Sequence, residues 1–314
     1  MECREKIFNI YRKRGVEVHR LNSHEEIVEK EPFYSKSRIK SAGGFIFPLD
    51  SCIDTYDFSC RMHKKGQEMG VRSSVNCEFK NFIFKENSKE IQGVQTTKGI
   101  IPCDNIFICA SYYSPRILQK LGLRLPIIPL KGYTFTQKKT DAHNCKSCLI
   151  DYNCCILMTQ RFNTVRWTSQ CTDIMGIDYT IPKARLARSK TSHDNLMNNT
   201  VELDESSCWT GMRPLSPDDV PILAKVPGFD QVIINTGHGS KGASTFITTS
   251  VLASQIFKKD EKDWVLNNND YDIKRFWLLW VNSLNDSKFI KLWNKQKMEI
   301  KKNSSQYKLF ISNY

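Results

Sequence analysis

A mixed α/β fold, in which a helix-covered sheet is interrupted by a block of antiparallel strands, is predicted by three observations. Residues 231–257 run from an apolar strand through a glycine turn into a segment of helical spacing. In residues 104–110 an acidic residue, Asp104, precedes a nearly continuous apolar run, as a strand buried on both faces must have. Residues 125–209 are mostly short β-type runs. At 314 residues with 40% hydrophobic content, the chain can fill two domain cores, which excludes wholesale disorder.

From the start, residues 6–14 predict a helix stopped at Gly15, and residues 16–21 alternate like a strand. Asn22-Ser23 with Glu25-Glu26 carries capping chemistry for a second helix, halted near Pro32. Gly43-Gly44-Phe45-Ile46-Phe47-Pro48 reads as a strand, and residues 56–69 as a helix ending at Gly70. Residues 75–84 and 91–101 predict strands, the latter a hairpin with Lys98-Gly99 at its tip. Pro115 sits early in a helix over 115–121, where its missing N–H costs nothing. Within the β-rich block, strands are expected over 127–137, 148–158 and 164–170, with a helix over 181–198.

Net charge is 46 − 33, or +13, which makes an anionic partner thinkable. The lysines are dispersed, however, and no RNP-like or basic-zipper pattern appears, so nucleic acid is not expected as a partner. The longest apolar run, 276–281, is far below the roughly 20 residues of a bilayer span. With no signal-like opening and 12 cysteines in no framework spacing, the expectation is a cytoplasmic protein with free thiols. Peripheral membrane attachment and a mitochondrial site stay open. Cys145-Lys146-Ser147-Cys148 has the gap of a zinc half-site, but the adjacent pair Cys154-Cys155 on a strand would point to opposite faces, so no metal is expected.

Gly237-His238-Gly239-Ser240-Lys241-Gly242 spells G-x-G-x-x-G in a strand–turn–helix context. A dinucleotide fingerprint needs a further strand with an acidic end; here residues 258–263 are hydrophilic and no buried strand follows. The turn is therefore expected to aim a helix N-terminus at some other electron-rich group, the alternative being a turn needed only for packing. Upstream, two prolines and Gly211 surround Arg213 and predict an irregular, rigid backbone. An arginine so held suits a carboxylate ligand, or else a structural aspartate.

Several runs together resemble the D-amino acid dehydrogenase small-subunit group of the flavin-dependent D-amino acid oxidase superfamily. They are Gly43 to Pro48 with Asp50 and Asp54, Gly93 to Ala110, and Leu123-Arg124-Leu125-Pro126. Pro129-Leu130-Lys131-Gly132-Tyr133-Thr134, Trp209 to Asp218 and Asn235 to Ser240 complete the set. The resemblance implies the remnant of an FAD-binding Rossmann-like domain interrupted by an antiparallel-sheet substrate domain. The implied boundaries are 1–57 (N-terminal helices), 58–111 (FAD-domain segment), 112–208 (substrate domain), 209–257 (FAD-domain segment with the turn) and 258–314 (basic tail).

It further implies FAD-dependent oxidative deamination of a D-amino acid to a 2-oxo acid and ammonia, with electrons passed to an acceptor such as a quinone. By the same resemblance Arg213 holds the substrate carboxylate, Tyr133 lines the pocket, and Gly211, Gly237, His238, Gly239 and Ser240 lie beside the flavin. The family pattern opens with a strand–Gly-rich turn–helix for the ADP part of FAD, and this sequence starts after it. Three readings are open: an incomplete product, a degenerate homologue that neither binds FAD nor turns over, or a chain completed by a second polypeptide. A basic binding module is the alternative from another class. In the tail, Ile273, Phe276, Trp277, Trp280 and Leu284 share a helical face, which predicts a covering helix or an interfacial membrane helix.

Overall fold

The computed structural model describes residues 2–258 and 268–279. Helix α1 (Glu2–Lys13) leads to β1 (His19–Leu21), α2 (His24–Lys30), β2 (Gly44–Ile46) and α3 (Thr55–Glu68). Then come β3 (Phe79–Phe84), β4 (Ile91–Thr96), β5 (Gly99–Pro102), β6 (Ile106–Ile108) and α4 (Ser114–Gln119). Strands β7 (Ile128–Lys138), β8 (Leu149–Asp151), β9 (Ile156–Gln160) and β10 (Thr164–Asp173) precede α5 (Lys183–Met197). Finally β11 (Cys208–Leu215), β12 (Ile222–Val226) and β13 (Phe229–Thr236) lead into α6 (Gly242–Lys258).

The described residues divide into two compact units, residues 2–54 with 131–211, and residues 55–130 with 212–258 and 268–279. Residues 112–130 had been expected in the substrate domain. They lie in the second unit, because Leu118, Leu125 and Ile127 are buried in its core.

The first unit is built on an antiparallel sheet in the order β11-β7-β10-β9-β8. Phe135 faces Trp167 across β7 and β10, and a bulge between Thr168 and Thr172 bends the latter strand. Alternation along β10 buries Val165, Trp167 and Ser169. Leu196 and Met197 of α5 join them, with Phe33 and Tyr34 from the short 3-10 turn after α2. That helix is capped as its sequence predicts: Ser23 accepts from Glu26 N–H, and Glu26 accepts from Asn22 N–H at 2.7 Å. The expected strand over 148–158 is two, β8 and β9, because Cys155 turns the chain at φ +55°.

The second unit holds an antiparallel sheet, β3-β4-β5, and a second sheet, β12-β13-β6, whose β13–β6 pair is parallel. Gln231 ties the two together, exchanging hydrogen bonds with the backbone of Ile91 and donating to Asp104 O. Along β13, Val232 and Ile234 face one core and Ile233 faces another with Leu252, Ala253 and Ile256 of α6. β13 is thus a strand covered on both faces. β6 is not, contrary to its composition: Ile108 is buried, but Phe107 is 44% exposed and Cys109 is exposed.

Residues 208–215, read from their prolines as irregular, form strand β11. Pro214 falls near its end, where a missing N–H disturbs no central ladder. In the tail, residues 273–279 form a 3-10 segment that buries Ile273 and Phe276 in the second core. Trp280 and Leu284 lie outside the described residues, as does the Trp277 side chain. No helix among the described residues is long and apolar enough to cross a membrane.

Candidate functional site

Arg213 is half-buried in β11, and among the described residues no hydrogen bond or ion pair reaches its guanidinium. Burial pulls its pKa below the ordinary arginine value, with no neighbouring carboxylate to offset the loss of hydration. The following residues fasten β11 to the glycine turn. Gly239 N–H donates to Pro214 O at 2.9 Å, and Leu215 bridges to His238 as an antiparallel pair. Arg213 and the 237–240 turn are therefore neighbours in one unit, joined by backbone bonds.

The turn differs in detail from the fully amide-lined bend its sequence implies. Gly239 N–H is committed to Pro214, and Lys241 N–H to His238 O at 3.0 Å. Ser240 N–H and, in the first turn of α6, those of Gly242 and Ala243 have no partner among the described residues, whereas Ser244 and Thr245 N–H donate to Lys241 O. The His238 ring turns inward, its Nε2 lying 3.0 Å from Thr249 Oγ1. That hydroxyl donates to Phe246 O, which leaves Nε2 as the donor, and burial depresses the imidazole pKa so that it stays neutral.

Both turn glycines answer to their own surroundings. At Gly237 (φ +77°) a Cβ would stand 3.0 Å from Ile127 Cδ1, and at Gly239 (φ +54°) 2.3 Å from Asp219 Oδ1.

Asp219 escaped the sequence reading. Its own φ is +57°, its Oδ1 is buried without a partner among the described residues, and its Oδ2 meets Lys241 Nζ at 2.7 Å. The loop presenting it is stapled by Arg275, which grips Asp218 at 2.7 and 3.2 Å and donates to Val220 O and Pro221 O. Only the unusual lysine in the turn hinted at this pairing.

Tyr133 is differently placed. It lies in the first unit, 1% exposed, with its hydroxyl donating to Asp173 Oδ2 at 2.6 Å. Burial and that carboxylate push its pKa up, so it is a committed neutral phenol rather than a free pocket-lining group. Arg185 pairs with the same Asp173 through two nitrogens. Nearby, Lys131 is fully buried, held by Asp178 Oδ2 at 2.9 Å and by Thr180 O. Gly211 lies two residues before Arg213 on β11, and a Cβ there would meet only the Trp209 ring at 3.6 Å.

A model of the FAD dependent oxidoreductase family, DAO, matches residues 2–255. The chain belongs to this family. Among its relatives is the D-amino acid dehydrogenase of Neisseria meningitidis serogroup C (strain 053442), 27% identical over 277 residues, covering 88% of this chain and 65% of the relative. The D-amino acid dehydrogenase of Vibrio vulnificus (strain CMCP6) is 28% identical over 77% of this chain and 57% of its own length. That of Cereibacter sphaeroides (strain ATCC 17029 / ATH 2.4.9) is 30% identical over 68% and 48%. The chain thus spans less than two thirds of the length of these relatives.

Two solved structures share the fold. L-proline dehydrogenase from P. horikoshii superposes with a TM-score of 0.74 at 20% identity, over 86% of this chain and 72% of its own. Glycine oxidase from Geobacillus kaustophilus gives 0.76 at 16% identity, over 86% and 70%. The mixed α/β architecture with antiparallel sheets is that of these two structures.

Proposed function

We propose that the chain carries the substrate-facing part of a flavoenzyme site that oxidises D-amino acids to imino acids, which water hydrolyses to 2-oxo acids and ammonia. The observation that carries this reading is Arg213, half-buried, unpartnered among the described residues and joined through Pro214 to the turn at the start of α6. A desolvated cation without an anion is costly unless a ligand supplies one. An α-carboxylate matches the planar fork of a guanidinium, and two parallel N–H···O bonds would fix the substrate's orientation. The D-amino acid dehydrogenase relatives support this substrate class.

The residues also suit the family's cofactor. Ser240 N–H and the first turn of α6 would hold the electron-rich edge of a flavin ring, favoured by the positive end of a 17-residue helix. FAD, when bound, would supply the two-electron acceptor for the substrate's α-hydrogen and pass the electrons to an acceptor such as a quinone. Arg213 provides binding and orientation, which is the chief protein contribution to such a transfer. Neutral His238 keeps the inner side of the turn free of a second charge.

The test is to add FAD and D- or L-amino acids to the purified chain and follow the visible flavin band and a dye acceptor. Stereoselective bleaching by D-amino acids, lost in Arg213→Ala while FAD stays bound, is the expected result. Retained FAD with equal bleaching in Arg213→Ala would remove the assignment. A chain that takes up no FAD would remove the reading of this chain alone as a working flavoenzyme and leave the incomplete, degenerate and two-polypeptide readings.

A further inference from the structure

In β10 the alternate residues Val165, Trp167 and Ser169 are buried on one face of the first unit's sheet, so Arg166 stands on the other. Directly opposite it in the ladder are Thr136 of β7 and Thr159 of β9. One hydroxyl thus flanks the arginine on each side in a single cross-strand row. Trp209 of β11 closes one end of that row. Its Nε1 donates to Thr136 Oγ1 at 3.2 Å, and its ring centroid lies 5.3 Å from the guanidinium carbon of Arg166.

The row offers donors and lacks an anion. No hydrogen bond or ion pair among the described residues reaches Arg166, whose Nε is buried and bare. The two terminal nitrogens are not shut in with it, and they present an open, end-on fork. Thr136 Oγ1 already accepts from Trp209, and Thr159 Oγ1 accepts from Cys148 Sγ at 3.8 Å, so each hydroxyl keeps its own proton to donate. Burial pulls the Arg166 pKa below the ordinary arginine value, and Arg161 adds to this. Asp54, whose carboxylate partly offsets the effect, is itself held by Arg161 at 2.9 Å.

We infer that Arg166, Thr136 and Thr159 form a binding site for the carboxylate of a small organic acid that carries no ammonium group, 2-oxo acids among them. The planar fork of a guanidinium matches the two oxygens of a carboxylate, and the flanking hydroxyls are placed to donate to its outer lone pairs. An α-ammonium would meet a cation and no anionic acceptor in the row, so amino acids are selected against. This separates the site from the one proposed at Arg213, which belongs to the other unit and takes an amino acid. The inference stands on the contacts of the row alone and does not need the flavoenzyme reading.

The experiment titrates the full chain with pyruvate by isothermal calorimetry in the Arg213→Ala background, where no carboxylate is held by that arginine. A single pyruvate site per chain is expected, and D-alanine should bind at least about tenfold more weakly. Arg166→Gln should weaken pyruvate binding about 10- to 100-fold, and Thr159→Val about 2- to 10-fold. Thr159→Val keeps the side-chain shape, so it decides the matter if Arg166→Gln does not fold. Absence of pyruvate binding overturns the inference, as does binding unchanged by either substitution in a folded chain. D-alanine or inorganic phosphate bound as tightly as pyruvate overturns it too. Because no FAD is added, failure of the chain to take up flavin leaves this result untouched.

Discussion

Two clusters, one in each unit, treat charge in opposite ways, although the first unit elsewhere leaves Arg166 Nε and Glu31 Oε1 buried without a partner among the described residues. In the first, buried or half-buried Lys131, Tyr133, Asp173 and Arg185 are each matched by an acceptor or donor from their own surroundings. In the second, Arg213 has no partner among the described residues, and Asp219 leaves one carboxylate oxygen buried and bare. A paired network is accounted for by folding alone. What sets Arg213 apart from Arg166, whose Nε is also without a partner among the described residues, is the backbone join of the next residue to the glycine turn, and this directs attention to Arg213 rather than Tyr133.

The contrast breaks most visibly at Arg213. Arg213→Ala removes the carboxylate grip and is expected to lower kcat/KM for D-amino acids by about 30- to 1000-fold, equivalent to ~2–4 kcal/mol. Its melting temperature should hold or rise, since no internal partner is stranded. Steady-state kinetics and a thermal melt on the same sample check both halves. A fall in melting temperature without a change in kinetics would make Arg213 as structural as Lys131.

The reverse pattern is expected for Asp173→Ala. It leaves the Tyr133 hydroxyl without an acceptor and Arg185 without its carboxylate, at about 1–3 kcal/mol of stability. Urea unfolding should show the loss, with the Michaelis constant for amino acids unchanged.

Gly239→Ala tests the join between strand and turn. The left-handed φ costs about 1–2 kcal/mol, and the added Cβ must push Asp219 away. Asp219→Ala in the same background should restore part of the stability, and a melt of the double variant reads this directly.

The smallest effect concerns pH. His143, fully buried in the first unit, is held down to about 4 by desolvation and then by His193, whose own pKa burial also lowers. Both are lowered from 6.5 on folding, so between pH 6.5 and 4 the unfolded chain binds more protons than the folded one. The contribution of these histidines is therefore full above about pH 6.5 and is lost as pH falls, levelling off for His143 below about 4, where the paired carboxylates Asp173 and Asp178 carry the decline further. Urea midpoints across that window should show the decline, and His143→Gln should reduce its slope.

The elements were largely legible along the chain because their signals are local. Ser23 with Glu26, Gly15 at φ +72°, and the 231–257 strand–turn–helix each depend on neighbours within a few residues. The failures share one cause. Pro214 and Gly211 suggested irregular backbone in 208–215, but pairing in the sheet made it a strand. The composition of 104–110 predicted burial on both faces, yet Phe107 stays exposed. That Asp173, forty residues later in the chain, accepts from the Tyr133 hydroxyl was likewise not legible along the sequence.

Sequence by itself determined the family, the order of helices and strands, and which arginine and which turn to inspect, since motif spacing and capping act over short stretches of chain. Tertiary structure alone decided whether each polar group is satisfied. The partners of Lys131, Tyr133 and Asp219 are set by folding and, except for Lys241 beside Asp219, come from stretches of chain forty or more residues away. Hydrogen bonding and desolvation are governed by distance in space rather than along the backbone.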